Sequence, residues 1–207
     1  VSLADSAILL RERGLSMQEC VAVGKGKMFA ILGLEREKVI LAIKDVLHLG
    51  TCSIANNNAP GQIVISGDKK ATEAAAKNSL SLGARKTIEL PVSAPFHCAL
   101  MNDAGLHVHE KLKDIKVEDP LITPISNVTA RPIKSANEIK KLLVRQITSE
   151  VKWMETIQYL CSEKVEIIVE IGEGKILHNL TKRIDKNVRS LSISCAKDIE
   201  ELLVLTK

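Results

Sequence analysis

The sequence predicts an α/β fold in which helices and strands alternate along most of the chain and one stretch breaks the alternation. Three observations carry this. Apolar residues recur at helical spacing in some segments and crowd into short β-branched runs in others. Those segments alternate, which implies a largely parallel sheet covered by helices. Between positions 24 and 91 the order becomes strand, helix, strand, strand, helix, strand, the split βαβ or ferredoxin-like unit.

Taken in order, Ser2 is placed to cap a first helix, with Leu3, Ala7 and Leu10 on one face and Gly14 as its stop. Arg13 is then a last-turn cation, favourable to the helix dipole. Residues 28–32 read as a strand and 35–49 as an amphipathic helix ending at Gly50. Residues 52–57 and 62–66 read as strands around the turn Asn58-Ala59-Pro60-Gly61. Asp68 caps a helix running to Leu82, Gly83 ends it, and 85–90 forms a further strand.

Pro91 and Pro95 then bracket a stiff extended segment leading to His97. Beyond it, 99–113 reads as a helix, 121–128 as an extended run, 135–147 as a helix capped by Ser135, and 151–163 as another. A buried strand over 165–171 precedes the turn Gly172-Glu173-Gly174 and a helix over 175–184. A strand over 188–193 and a helix over 197–205 complete the order. Residues 1–23 and 92–207 are thus expected to form one α/β domain, with 24–91 inserted as a ferredoxin-like subdomain.

Composition narrows the function classes. A chain of 207 residues that is 45% hydrophobic and 26% charged is ordinary globular material. No apolar run approaches the roughly 18 residues of a membrane span, and the opening residues lack a signal-peptide pattern, so a cytoplasmic protein is expected. Five scattered cysteines without a Cys-x-x-Cys pair favour reduced thiols over disulfides or zinc. The net charge of +4 argues weakly for an acidic partner and hardly for nucleic acid. Lys25-Gly26-Lys27-Met28-Phe29 hints at an RNA-recognition strand, but stacking of bases needs several aromatics and this unit holds only Phe29.

His97 can serve as a general base, a metal ligand or a structural residue. His48, His107, His109 and His178 show no ligand spacing with it, so no metal is expected. His107 and His109 lie two apart on a helix and face different directions. The Gly172-Glu173-Gly174 turn lacks both the Walker lysine and the dinucleotide fingerprint, which leaves a tight strand-to-helix turn as the simpler account. No Gly-x-Ser-x-Gly elbow is present. Cys98, next to His97, reads as a buried thiol.

Four stretches together resemble the malonyl-CoA:acyl-carrier-protein transacylases of bacterial type II fatty-acid synthesis. They are Leu10-Arg11-Glu12-Arg13-Gly14-Leu15-Ser16-Met17-Gln18; Asn57-Asn58-Ala59-Pro60-Gly61-Gln62-Ile63-Val64-Ile65-Ser66-Gly67; Pro91-Val92-Ser93-Ala94-Pro95-Phe96-His97; and Leu180-Thr181-Lys182-Arg183-Ile184. The resemblance implies an α/β-hydrolase-like domain, here partial, with the ferredoxin-like βαββαβ subdomain inserted. It implies ping-pong transfer of malonyl from malonyl-CoA through an acyl-serine to the phosphopantetheine thiol of acyl carrier protein. His97 would be the general base, Arg13 the group that binds the malonyl carboxylate, Gln146 the acceptor that orients the histidine, and Asn58 a substrate-side residue in the cleft. No bound cofactor is implied; the coenzyme A thioester is substrate.

Two departures accompany the resemblance. The family's Gly-His-Ser-x-Gly elbow is expected upstream of the arginine helix, so that these residues look like the carboxy-terminal portion of the enzyme and are expected to lack activity alone. Gly172-Glu173-Gly174 stands where the family has a Gly-Pro-Gly-like turn. The alternative is a catalytically inactive partner-binding fragment of a split or truncated transacylase. It would meet acidic carrier protein through Lys25, Lys27, Lys182 and Arg183, or associate with the missing amino-terminal segment.

Overall fold

Strand β1 (Gly26–Leu32) alternates its side chains between two apolar environments, and the larger sheet is built around it. In the computed structural model, which describes residues 1–205, β1 pairs antiparallel with β3 (Gln62–Asp68) on one side and β4 (Lys86–Glu89) on the other. Strand β2 (Cys52–Ala59) pairs with β3, giving the order β2-β3-β1-β4. Helices α2 (Arg36–Lys44) and α3 (Lys69–Ser81) supply the two crossovers. This is the ferredoxin-like topology expected from the element order.

Both faces of that sheet are covered. Ile31, Ile54, Ile63 and Ile65 pack with Val39, Ile43, Ala71 and Ala75 of the helices. Met28, Ala30, Ala55 and Val64 form a cluster on which Leu90 and Phe96 rest. Phe96 directly precedes His97, so the sheet's second face supports the histidine loop. Several boundaries differ from expectation. The helix over 35–49 is broken into α2 and a single 3₁₀ turn, Leu47–Leu49, so that Val46 reaches the core. Strand β2 continues to Ala59, which shortens the turn to Pro60-Gly61. Asp68 occupies the N-cap of α3, but its carboxylate accepts from the Thr51 N–H at 2.7 Å and makes no cap hydrogen bond.

Helix α1 (Leu3–Glu19) is capped by Ser2, whose hydroxyl accepts from the Asp5 N–H. It runs through Gly14 instead of stopping there. A glycine ends a helix by adopting positive φ, and Gly14 is not among the positive-φ residues. Continuing costs about 1 kcal/mol relative to alanine, which burial of Met17 offsets. The buried face is also shifted: Leu9 and Met17 are inside, while Leu3 and Leu10 are exposed. They pack with Ala104, Val108 and Leu112 of α4 (Asn102–Lys113) and Ile147 of α5 (Ala136–Thr148). A 3₁₀ turn, Ala99–Met101, precedes α4, and Ser135 caps α5 through the Glu138 N–H.

The stretch 121–128 is not a strand. Leu121 and Ile122 are exposed, and pairing is limited to a bridge from Ile125 to Pro132. Helix α6 (Trp153–Ser162) leads to β5 (Ile167–Ile171), which pairs in parallel with β6 (Arg189–Ile193). Helices α7 (Ile176–Ile184) and α8 (Ala196–Leu205) follow these strands. The expected parallel sheet has two strands among the described residues, and β5 is half-buried instead of buried. No helix among the described residues is long and apolar enough to cross a membrane.

Candidate active site around His97

The loop that carries His97 is stiff for identifiable reasons. Two prolines restrict it, and the Pro95 ring lies so close to Gly26 that a Cβ there would collide with it. The buried Cys98 thiol donates to the Pro95 carbonyl. His97 itself has φ 60°, a left-handed conformation that histidine tolerates better than most residues but that the surrounding structure must hold.

Three distant residues meet here. The His97 Nδ1 lies 3.0 Å from the Gln146 main-chain carbonyl. A carbonyl can only accept, so Nδ1 carries the proton and Nε2 keeps its lone pair. The Arg13 guanidinium donates through Nη2 to the Gln146 side-chain Oε1 at 2.7 Å. One glutamine thus holds both groups, with its main chain orienting the imidazole and its side chain holding the guanidinium. The continuation of α1 past Gly14 keeps Arg13 in mid-helix, with its own carbonyl accepting from Ser16.

Burial pushes the His97 imidazole below its ordinary range, opposed by the Gln146 carbonyl and assisted by the positive charge of Arg13. Burial also lowers Arg13, yet a guanidinium stays charged at neutral pH. The arrangement therefore presents a neutral base beside a permanent cation. Asn58 is half-buried on β2 just before the Pro60-Gly61 turn.

Two pairings had no signal in the sequence. On α1, Glu12 beside Arg13 accepts from His107 at 3.0 Å and faces Lys111 at 3.4 Å, and these hydrogen bonds hold its carboxyl below the usual range. The buried Asn57 donates from Nδ2 to Glu155 Oε1 at 2.8 Å. Their partners are 95 and 98 positions away, beyond the reach of any periodicity.

No family model matches the chain. A malonyl CoA-acyl carrier protein transacylase of Haemophilus influenzae is 38% identical over 203 residues, 97% of this chain and 65% of the relative. The crystal structure of an acyl-carrier-protein-S-malonyltransferase from Bartonella henselae superposes with a TM-score of 0.96 at 42% identity, over 99% of this chain and 65% of that one. The chain is a homologue of the malonyl CoA-acyl carrier protein transacylases. It spans 60–65% of the length of such curated relatives. A malonyl-transacylase in complex with its type II PKS acyl-carrier protein is also similar, with TM-score 0.91 and 36% identity over 95% of this chain and 64% of that one.

The Gly172-Glu173-Gly174 turn is exposed, and the start of α7 beyond it is already capped: Glu170 accepts from the Leu177 and His178 N–H groups at 3.1 and 2.9 Å. An anion would have to displace that carboxylate, so the turn is not a phosphate cradle. Of the four cations considered for an acidic partner, Lys27 is engaged by Glu73 and Glu89, both at 2.8 Å. Arg183 donates to Gln62 and to the Pro60 carbonyl. Lys25 and Lys182 are exposed.

Proposed function

We propose that this chain supplies the histidine and the arginine of a malonyl-CoA:acyl-carrier-protein transacylase. The observation that supports it is the convergence of His97 and Arg13 on Gln146, which sets a neutral base and a carboxylate receptor side by side. Nε2 takes the proton of an attacking serine hydroxyl as the bond from its oxygen to the malonyl carbonyl carbon forms. The carbon–sulfur bond then breaks, and the imidazolium returns the proton to the departing coenzyme A thiolate. In the second half the phosphopantetheine thiol gives its proton to Nε2 and attacks the ester, and the serine leaves with that proton. The serine is the family's elbow residue, whose motif these 207 residues do not contain.

Arg13 selects the acyl group. With Nη2 held by Gln146, its remaining donors offer a planar fork to the free malonyl carboxylate, which acetyl lacks. Asn58 contacts substrate from the β2 side. The transfer is made to acyl carrier protein, as in the similar complex, with Lys25 and Lys182 available to steer an acidic carrier.

The test is Arg13→Ala in the enzyme expressed from its complete reading frame. KM for malonyl-CoA should rise about tenfold or more, because a charge-assisted bidentate contact is lost, and the acetyl-to-malonyl ratio should rise with it. The acid limb of the pH profile should also move upward, since removing a cation raises the pKa of His97. An unchanged acyl preference would rule out the carboxylate role.

A further inference from the structure

We propose that Asn57 and Glu155 are positioning residues for substrate binding, because they pin a bulge in β2 that sets the orientation of Asn58. The pairing of β2 with β3 slips twice, between Ile54 and Asn56 and between Asn57 and Ala59. The extra residues are Ala55 and Asn58. A bulge re-aims the side chain of its extra residue and needs support, since the ladder is interrupted there.

The support comes from the opposite edge of β2. Asn56 forms a parallel bridge with Val151. The Val151 N–H donates to the Ala55 carbonyl at 2.8 Å, and the Asn57 N–H donates to the Val151 carbonyl at 3.0 Å. The side chain of Asn57, 2% exposed, then reaches Glu155 on α6. Two bulges thus flank a seam that runs to the segment joining α5 to α6. Gln146, which holds both His97 and Arg13, lies on α5 just before that segment. The seam therefore fixes Asn58 relative to the trio.

Its chemistry favours geometry over stability. The second oxygen of Glu155 is buried without a partner, and a buried carboxylate with one hydrogen bond is a poor stabiliser compared with an apolar side chain. A second tie to the same joining segment, from Arg36 of α2 to Glu150 at 2.8 Å, holds it to the subdomain without touching β2.

This inference rests on the transacylase reading, and one experiment separates the two. In the enzyme from its complete reading frame, Asn57→Asp sets two carboxylates against each other and should raise KM for malonyl-CoA about tenfold, with kcat changed less than about twofold. Glu155→Gln, which keeps an acceptor, should raise KM about threefold. The double variant Asn57→Asp with Glu155→Gln reverses the donor and acceptor and should return KM to within about twofold of wild type. Arg36→Met should leave KM unchanged. The proposal is overturned if neither single variant raises KM, if the double variant gives no rescue, or if Arg36→Met matches Asn57→Asp. A wild-type enzyme that transfers no malonyl overturns the underlying reading instead.

Discussion

Of strands β3 and β5, β5 is the more apolar, with Ile or Val at four of its five positions against three of seven in β3, yet it is the more exposed. In β3, Ile63, Val64 and Ile65 are 2%, 4% and 0% exposed. In β5, Ile167, Ile168 and Val169 are half-buried and Ile171 is 83% exposed. The difference is what lies on them. Strand β3 has neighbours on both edges, helices over one face and the Phe96 loop near the other. Among the described residues strand β5 has one neighbour, β6. Apolar composition makes a strand available for burial, and the number of covering layers decides whether it is buried. The trio draws on both kinds of support: Arg13 and Gln146 are borne by α1 and α5, which pack with α4, and His97 by a loop whose Phe96 rests on the well-covered sheet.

The sharpest way to separate chemistry from scaffold is His97→Asn. Asparagine tolerates φ near +60° and keeps a donor for the Gln146 carbonyl, but it has no base. Transfer by the enzyme from its complete reading frame should fall about 10³-fold, near 4 kcal/mol of barrier, with the thermal midpoint little changed; retention of more than a tenth of the rate would refute the base assignment. In the same enzyme with His97 intact, kcat/KM should fall as pH drops through a value below about 6.5, because protonation removes the lone pair and burial holds that protonation to lower pH.

Next in size is Ile65→Ala. A fully buried isoleucine in the covered sheet should cost about 3 kcal/mol by chemical denaturation. The smallest effect belongs to the other sheet. Ile171→Ser should change the stability of the 207-residue chain by no more than about 0.5 kcal/mol. Equal losses for Ile65→Ala and Ile171→Ser would erase the contrast between the two sheets.

Much of this was legible beforehand. The elements and the caps at Ser2 and Ser135 depend on residues within a few turns of each other, and local spacing encodes them; the ferredoxin-like unit follows from the order of those elements. Site residues His97, Arg13, Gln146 and Asn58 came from motif resemblance, since spacing alone left His97 open between three roles. The length of α1 is not legible in this way, because Gly14 looks like a stop and the packing of Met17 against α4 and its neighbours carries the helix onward.

The sequence by itself determined which segments become helix or strand and which family the chain resembles. Tertiary structure decided that Gln146 meets His97 through its main chain and Arg13 through its side chain, that Asn57 meets Glu155, and that β5 has β6 as its single neighbour among the described residues. Each of those outcomes pairs atoms far apart along the chain, or depends on layers that cover a strand. Short-range periodicity is written in neighbouring residues, whereas these contacts exist only once loops have closed and the segments are packed.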